Sequence, residues 1–216
     1  MKNIPVVGQV FEVITFREYN YNDKQKEMSV KVPEIKNSQN ISAIEDVNKE
    51  AGIYTKKLVE QFNKDIKNLG FNSLNVTYNK VTDTKKWFTL EINVVETQAS
   101  GYQFRRYYHI NKESGKIVKL SDLFKKNCNY IEIISKEIKR QMKAQMKNEN
   151  VSYFIGTEEV FEGFRKIKNN QNFYFNKDGN MVITFDEYEV APGSMGMPEF
   201  VIPKDITASL YKASVN

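Results

Sequence analysis

The chain has 216 residues and 25.2 kDa, with 40% hydrophobic and 27% charged residues, which suits a packed core and excludes global disorder. Its 32 basic against 27 acidic residues leave a net charge of +5, and only five of the basic residues are Arg. That excess is too diffuse to mark a nucleic-acid binder, and no nucleic-acid partner is expected. One cysteine (Cys128) excludes an internal disulfide and a cysteine-based zinc site, and one histidine (His109) excludes any site built on two imidazoles. No apolar run reaches the roughly 18 residues that a membrane-spanning helix needs. We expect no metal and no cofactor.

Phe11–Tyr19 is rich in β-branched and aromatic residues and predicts a strand. After a turn at Asn22-Asp23-Lys24, Glu27–Val32 returns with period two, and Pro33 should end it, since it has no N–H for the ladder. Ile44, Val47, Ala51, Tyr54, Leu58, Phe62, Ile66 and Leu69 recur every three or four residues, the stripe of a long amphipathic helix that Gly70 should stop and Gly52 could interrupt. Strand-like runs follow at 74–80, 87–97, 102–111 and 116–120, with a helical turn opening at Ser121-Asp122. Ile131, Ile134, Ile138, Met142 and Met146 form one face of a second long helix, and Lys136, Lys139, Arg140, Lys143 and Lys147 form its basic outer face. Thr157-Glu158-Glu159 reads as the start of a shorter third helix through Val160, Phe161, Phe164 and Ile167. A hairpin over 173–185 turns at Asp178-Gly179.

Strands and helices occur in blocks, which predicts an α+β fold: a mainly antiparallel sheet packed by two long helices and one shorter one. Near residue 70 a hairpin-plus-helix pattern gives way to a strand-rich one, which suggests an N-terminal subdomain over 1–70 and a strand-rich domain over 71–216, expected to pack as one compact unit. His109 sits in the alternating run Tyr107-Tyr108-His109-Ile110 and reads as a sheet residue, not a base; Cys128 reads as a structural thiol.

The most unusual stretch is 191–198, where two of the five prolines and two of the ten glycines fall in eight residues. Pro fixes φ and Gly permits φ > 0, so the loop can hold one shape without regular structure. Asp186, Glu187, Tyr188 and Glu189 precede it and Glu199 follows, a rim of carboxylates with one aromatic that would prefer a basic partner. The alternative is a plain structural turn. Read as a strand, the segment sets Glu187 and Glu189 on one face about 7 Å apart, a spacing open to glycoside hydrolysis but cheap among 27 acidic residues. Gly193-Ser194-Met195-Gly196 lacks the phosphate-loop ending, and Ser194 carries no nucleophile signature. Ser100-Gly101-Tyr102 forms a second small-residue turn with an aromatic, at a hairpin tip.

Three strings are familiar: Lys112–Phe124, with its Ser-Gly-Lys and Asp-Leu-Phe; Phe173-Tyr174-Phe175 through Asp178-Gly179; and Phe185–Pro192 with Gly196–Pro203. They resemble a bacterial domain family of unknown function, and Val32–Ile35 with Val47–Glu50 is similar to its companion N-terminal domain. The two together resemble the extracytoplasmic region of RsiV-type anti-sigma factors, an architecture also found in accessory regions of peptidoglycan deacetylases. The resemblance implies a non-enzymatic sensor outside the membrane, attached through a segment beyond these residues. It implies binding of a C-type lysozyme that triggers regulated proteolysis and sigma-factor release; peptidoglycan is the alternative ligand, with Trp87 and tyrosines stacking on sugars. Tyr188, Pro192, Gly193, Ser194 and their neighbours Glu187, Glu189 and Met195 match the ligand-contacting loop, with Ser100, Gly101 and Tyr102 as a second candidate turn. Two positions depart from the pattern: Gly193 stands where the family carries an aromatic, and Ala99-Ser100-Gly101-Tyr102 replaces its usual turn.

Overall fold

A computed structural model of the chain describes residues 11–37, 41–67, 70–98, 100–148, 150–156 and 163–213. The chain divides into two compact units, Met1–Ile117 and Val118–Asn216. The architecture is α+β and mainly antiparallel, with two long helices and one short one. The division falls after Ile117, and the change of element type near residue 70 lies inside the first unit. The reason is that the N-terminal hairpin and the following strands share one sheet and one core.

The first unit contains β1 (Glu12–Asp23), β2 (Lys26–Lys36), α1 (Ser42–Asp65), β3 (Asn72–Asp83), β4 (Trp87–Thr97), β5 (Gly101–Asn111) and β6 (Lys116–Ile117). The six strands lie in sequence order, all antiparallel except β2 with β3. A parallel pair cannot be closed by a tight turn, so α1 makes the crossover between them. The predicted stripe is what α1 buries: Ile44, Val47, Ala51 and Phe62 are buried, and Tyr54, Leu58 and Ile66 pack at the edge of the core. Facing them are Met28, Val30, Leu74, Val76, Leu90 and Ile92. The helix runs through Gly52 without a break, and the predicted stripe residue Leu69 lies outside the described residues.

Pro33 does not end β2. It pairs with Thr15, beside a bulge between Thr15 and Arg17. The parallel pairing with β3 covers only Lys26–Val30, so at Pro33 β2 has a single neighbour, and the missing N–H costs no ladder bond on that open side. On the second face of β4 and β5, Thr89 pairs with His109 and Glu91 with Tyr107, all buried. His109 is a sheet residue, with Nδ1 3.0 Å from Thr89 Oγ1, and burial pushes its pKa down to about 3. Trp87 is also buried, 8% exposed, so it offers no platform for sugar stacking. Burial would raise the Asp83 carboxyl, but hydrogen bonds from Lys112 and Lys80 outweigh it and hold the group below the usual carboxylate range.

The second unit contains a 3₁₀ turn at Leu120–Leu123, α2 (Tyr130–Asn148), a three-stranded antiparallel sheet of β7 (Phe173–Phe175), β8 (Met181–Thr184) and β9 (Glu199–Ile202), and the short α3 (Lys204–Thr207). Helix α2 buries Tyr130, Ile134, Ile138 and Met142, and the sheet contributes Phe173, Phe175, Met181, Ile183, Phe200 and Ile202 to the buried set. The predicted strand over 116–120 is shorter, because Leu120 already begins the 3₁₀ turn. The short helix is not the predicted one. Thr157–Phe161 lie outside the described residues, while Phe164 forms a bridge with Ile155 and the Ile167 N–H donates to Ser135 Oγ at 3.0 Å, so neither is helical. Cys128 lies in the turn before α2, a half-buried free thiol facing the Leu210 carbonyl at 3.9 Å. Among the described residues no helix is long and apolar enough to cross a membrane.

Candidate functional site

The loop 186–198 joins β8 to β9, and its base is closed by the Phe185 N–H donating to the Pro198 carbonyl at 3.0 Å. Its first half is a turn, not the strand that the carboxylate spacing would need: the Glu189 N–H donates to Asp186 O at 3.1 Å, and Tyr188 takes φ 64°. A bulky residue in that left-handed region is strained by about 1–3 kcal/mol, so the surroundings must hold it there. They do so through Glu189. Its Oε2 accepts the Asp186 N–H at 3.0 Å, and its Oε1 forms an ion pair with Lys168 Nζ at 2.7 Å. Val190 and Ala191 are buried, and the Val190 carbonyl accepts the Phe154 N–H at 2.8 Å.

The second half is a 3₁₀ turn, Gly193–Met195, after Pro192. Met195 N–H donates to Pro192 O and Gly196 N–H to Gly193 O, each at 2.9 Å. Gly196 has φ 61° and ψ −131°, a conformation closed to residues with a Cβ. Gly193 serves another purpose. A Cβ there would lie 2.5 Å from Cζ and Oη of Tyr188, so the tyrosine ring lies over this glycine. Position 193 thus carries no side chain of its own, and a ring from five residues earlier lies over it.

The result is a loop whose backbone is fixed from within and whose tip shows one large aromatic: Tyr188 is 50% exposed, Ser194 is exposed, and Pro192, Gly193 and Met195 are half-buried. The rim of four carboxylates is smaller than the sequence implied. Glu189 is committed to Lys168 and the backbone, and Glu199, though exposed, accepts the Tyr174 hydroxyl at 2.9 Å. With Glu189 bound to Lys168 and in a turn, the pairing of Glu187 and Glu189 expected from a strand does not form.

Ser100, Gly101 and Tyr102 belong to the first unit, at the tip between β4 and β5. There the Gln98 N–H donates to Ser100 O at 3.2 Å, and Tyr102 is 41% exposed and stacks on Phe104 with ring centroids 5.2 Å apart. Two supports of the loop escaped sequence reading, Lys168 and the Phe154 backbone. Each meets the loop only through the tertiary fold, so no local pattern announces it. Among the described residues no group of three or more His, Cys, Asp or Glu is arranged to hold a metal ion.

Comparisons with known proteins bear on the family and the fold. Residues 121–205 match the domain family described as "Protein of unknown function (DUF3298)". Two crystal structures of that family share the fold: one from Bacteroides fragilis (TM-score 0.61, 18% identity, 98% of this chain and 96% of the other) and one from Pseudomonas aeruginosa PAO1 (TM-score 0.67, 12% identity, 99% and 97%). The anti-sigma-V factor RsiV of Bacillus subtilis strain 168 is 37% identical over 214 residues, 97% of this chain and 74% of that protein. The chain therefore belongs to the RsiV family of anti-sigma factors. Its role is that of a regulatory member of that family, not of an enzyme.

Proposed function

We propose that this chain is the extracytoplasmic ligand-sensing region of an anti-sigma factor, and that the loop 186–198 docks into a groove of a C-type lysozyme. Binding would then expose the anti-sigma factor to regulated proteolysis and release its sigma factor. The observation that carries this reading is Tyr188, a half-exposed aromatic held in a strained backbone over Gly193 by a loop with its own hydrogen bonds. A rigid aromatic anchor presented at low entropic cost is what a protein-protein hot spot requires. Strain kept at an exposed tip argues for use at that tip. Glu187 and Asp186 supply negative charge beside the ring, which suits a basic partner at contact, although the chain's net charge of +5 opposes it at long range.

Calorimetric titration of the purified chain with an animal C-type lysozyme, and separately with peptidoglycan fragments, tests the reading. Saturable lysozyme binding that also blocks lysozyme turnover is expected, with Tyr188→Ala weakening affinity by about tenfold or more. Glu187→Lys should weaken binding and flatten its salt dependence. Binding of the glycan fragments alone, or lysozyme affinity indifferent to Tyr188→Ala, overturns it.

A further inference from the structure

The basic ridge of α2 plays no part in the loop's chemistry, and it has its own organisation. With 3.6 residues per turn, Lys136, Lys139, Arg140, Lys143 and Lys147 fall within about 100° of arc, while Ile134, Ile138 and Met142 occupy the buried opposite side. Arg140 is already committed. Its Nε and Nη2 donate to the two carboxylate oxygens of Glu137, each at 2.8 Å, and that pairing holds the Glu137 carboxyl below the usual range. The four lysines differ: among the described residues none has a carboxylate within ion-pair distance. Lys136, Lys143 and Lys147 are exposed and Lys139 half-buried. They repeat every three or four residues, so one lysine follows another by about 4.5–6 Å along the axis. Lys136, Lys139 and Lys143 line a shallow depression of about 530 Å³ together with Arg165, and Glu132 stands at its N-terminal end.

We infer that this ridge is a binding track for a linear phosphate-ester polyanion without bases, of the poly(glycerol phosphate) type. Four like charges held in a row, none ion-paired among the described residues and with Glu132 alone at one end of the depression, repel one another, and a string of phosphates at comparable spacing removes that repulsion while releasing its own counterions. A bilayer surface is the poorer partner: none of the exposed large hydrophobic residues lies on α2, so nothing there enters the acyl boundary. Single-stranded nucleic acid is poorer too, because the lysines are not interleaved with exposed aromatics on which bases stack. The track stands independently of the lysozyme reading, since it shares no residue with the loop.

Fluorescence anisotropy with labelled poly(glycerol phosphate), at a series of salt concentrations, tests it. The comparison arms are a single-stranded oligonucleotide of equal charge and vesicles containing phosphatidylglycerol. The intact chain should prefer the polymer, and replacing Lys136, Lys139, Lys143 and Lys147 by Gln should weaken it at least about tenfold and make the log-log salt slope shallower by about 3. Replacing Lys119, Lys126, Lys177 and Lys212 by Gln removes the same charge elsewhere on the unit and should leave binding within about twofold. Equal losses in the two quadruple variants, no binding by the intact chain, or a preference for the oligonucleotide or the vesicles overturns the inference.

Discussion

Two exposed turns carry the candidate contact residues, and they are held in different ways. The tip at 98–102 is the end of a long antiparallel ladder, with Thr97 opposite Gly101, and its geometry follows from β4 and β5 beneath it. The loop at 186–198 extends from a β8 strand of four residues, too short to dictate anything so far from its end. It is shaped by its own contacts: Glu189 folded back, Val190 buried and tied to Phe154, Tyr188 over Gly193. A ladder gives a tip its position; internal bonds and a buried anchor give a loop its shape. Only the second arrangement can keep a residue in an unfavourable backbone conformation.

The comparison can be tested by disturbing each support in turn. The largest effect is expected from acid on the first unit. His109 is held deprotonated in the fold, its pKa lowered to about 3, so the unfolded chain takes up the proton first. The stability it protects is complete above about pH 6.5 and is lost as pH falls toward 3, at about 1.4 kcal/mol per pH unit. Urea denaturation followed by circular dichroism should show about 2 kcal/mol lost between pH 6.5 and pH 5, and His109→Gln should abolish that dependence. Asp83 adds to it only at lower pH: its depressed carboxyl contributes above about pH 4 and loses that contribution as pH falls through the folded-state value.

Next, Glu189→Ala removes the acceptor for the Asp186 N–H and the partner of Lys168, and should cost the second unit about 1–2 kcal/mol, with faster hydrogen exchange at Asp186 and Glu189. Tyr188→Gly should run the other way. It relieves the positive φ and stabilises the unit by up to about 1 kcal/mol in thermal denaturation, while ligand affinity falls. The smallest effect belongs to the ladder-held tip. Nothing lies within 4 Å of a Cβ placed at Gly101, so Gly101→Ala should change stability by no more than about 0.5 kcal/mol.

The same contrast explains what could be read from the sequence. Period and turn chemistry are local, so α1, α2, the six-stranded arrangement's long strands and the Asp178-Gly179 hairpin were visible in the residues themselves. The position of the loop was visible too, from its prolines and glycines. What stayed hidden depended on distant partners. Pro33 terminates a strand only if both edges of that strand are paired, and the length of the β2–β3 pairing is a tertiary fact. Glu189 looks like a free rim carboxylate until the fold brings Lys168 to it. The sharing of one sheet by the N-terminal hairpin and β3–β6 stayed hidden as well, because a parallel pairing across α1 leaves no local pattern in the residues.

Trp87, the only tryptophan, lies buried in the first unit. Its emission therefore reports on one half of the molecule alone. An unfolding curve followed at that wavelength can look complete while the half bearing the loop 186–198 has opened earlier or not at all, so following the loop's own half requires a fluorophore placed there, for which the single thiol of Cys128 is the natural attachment point.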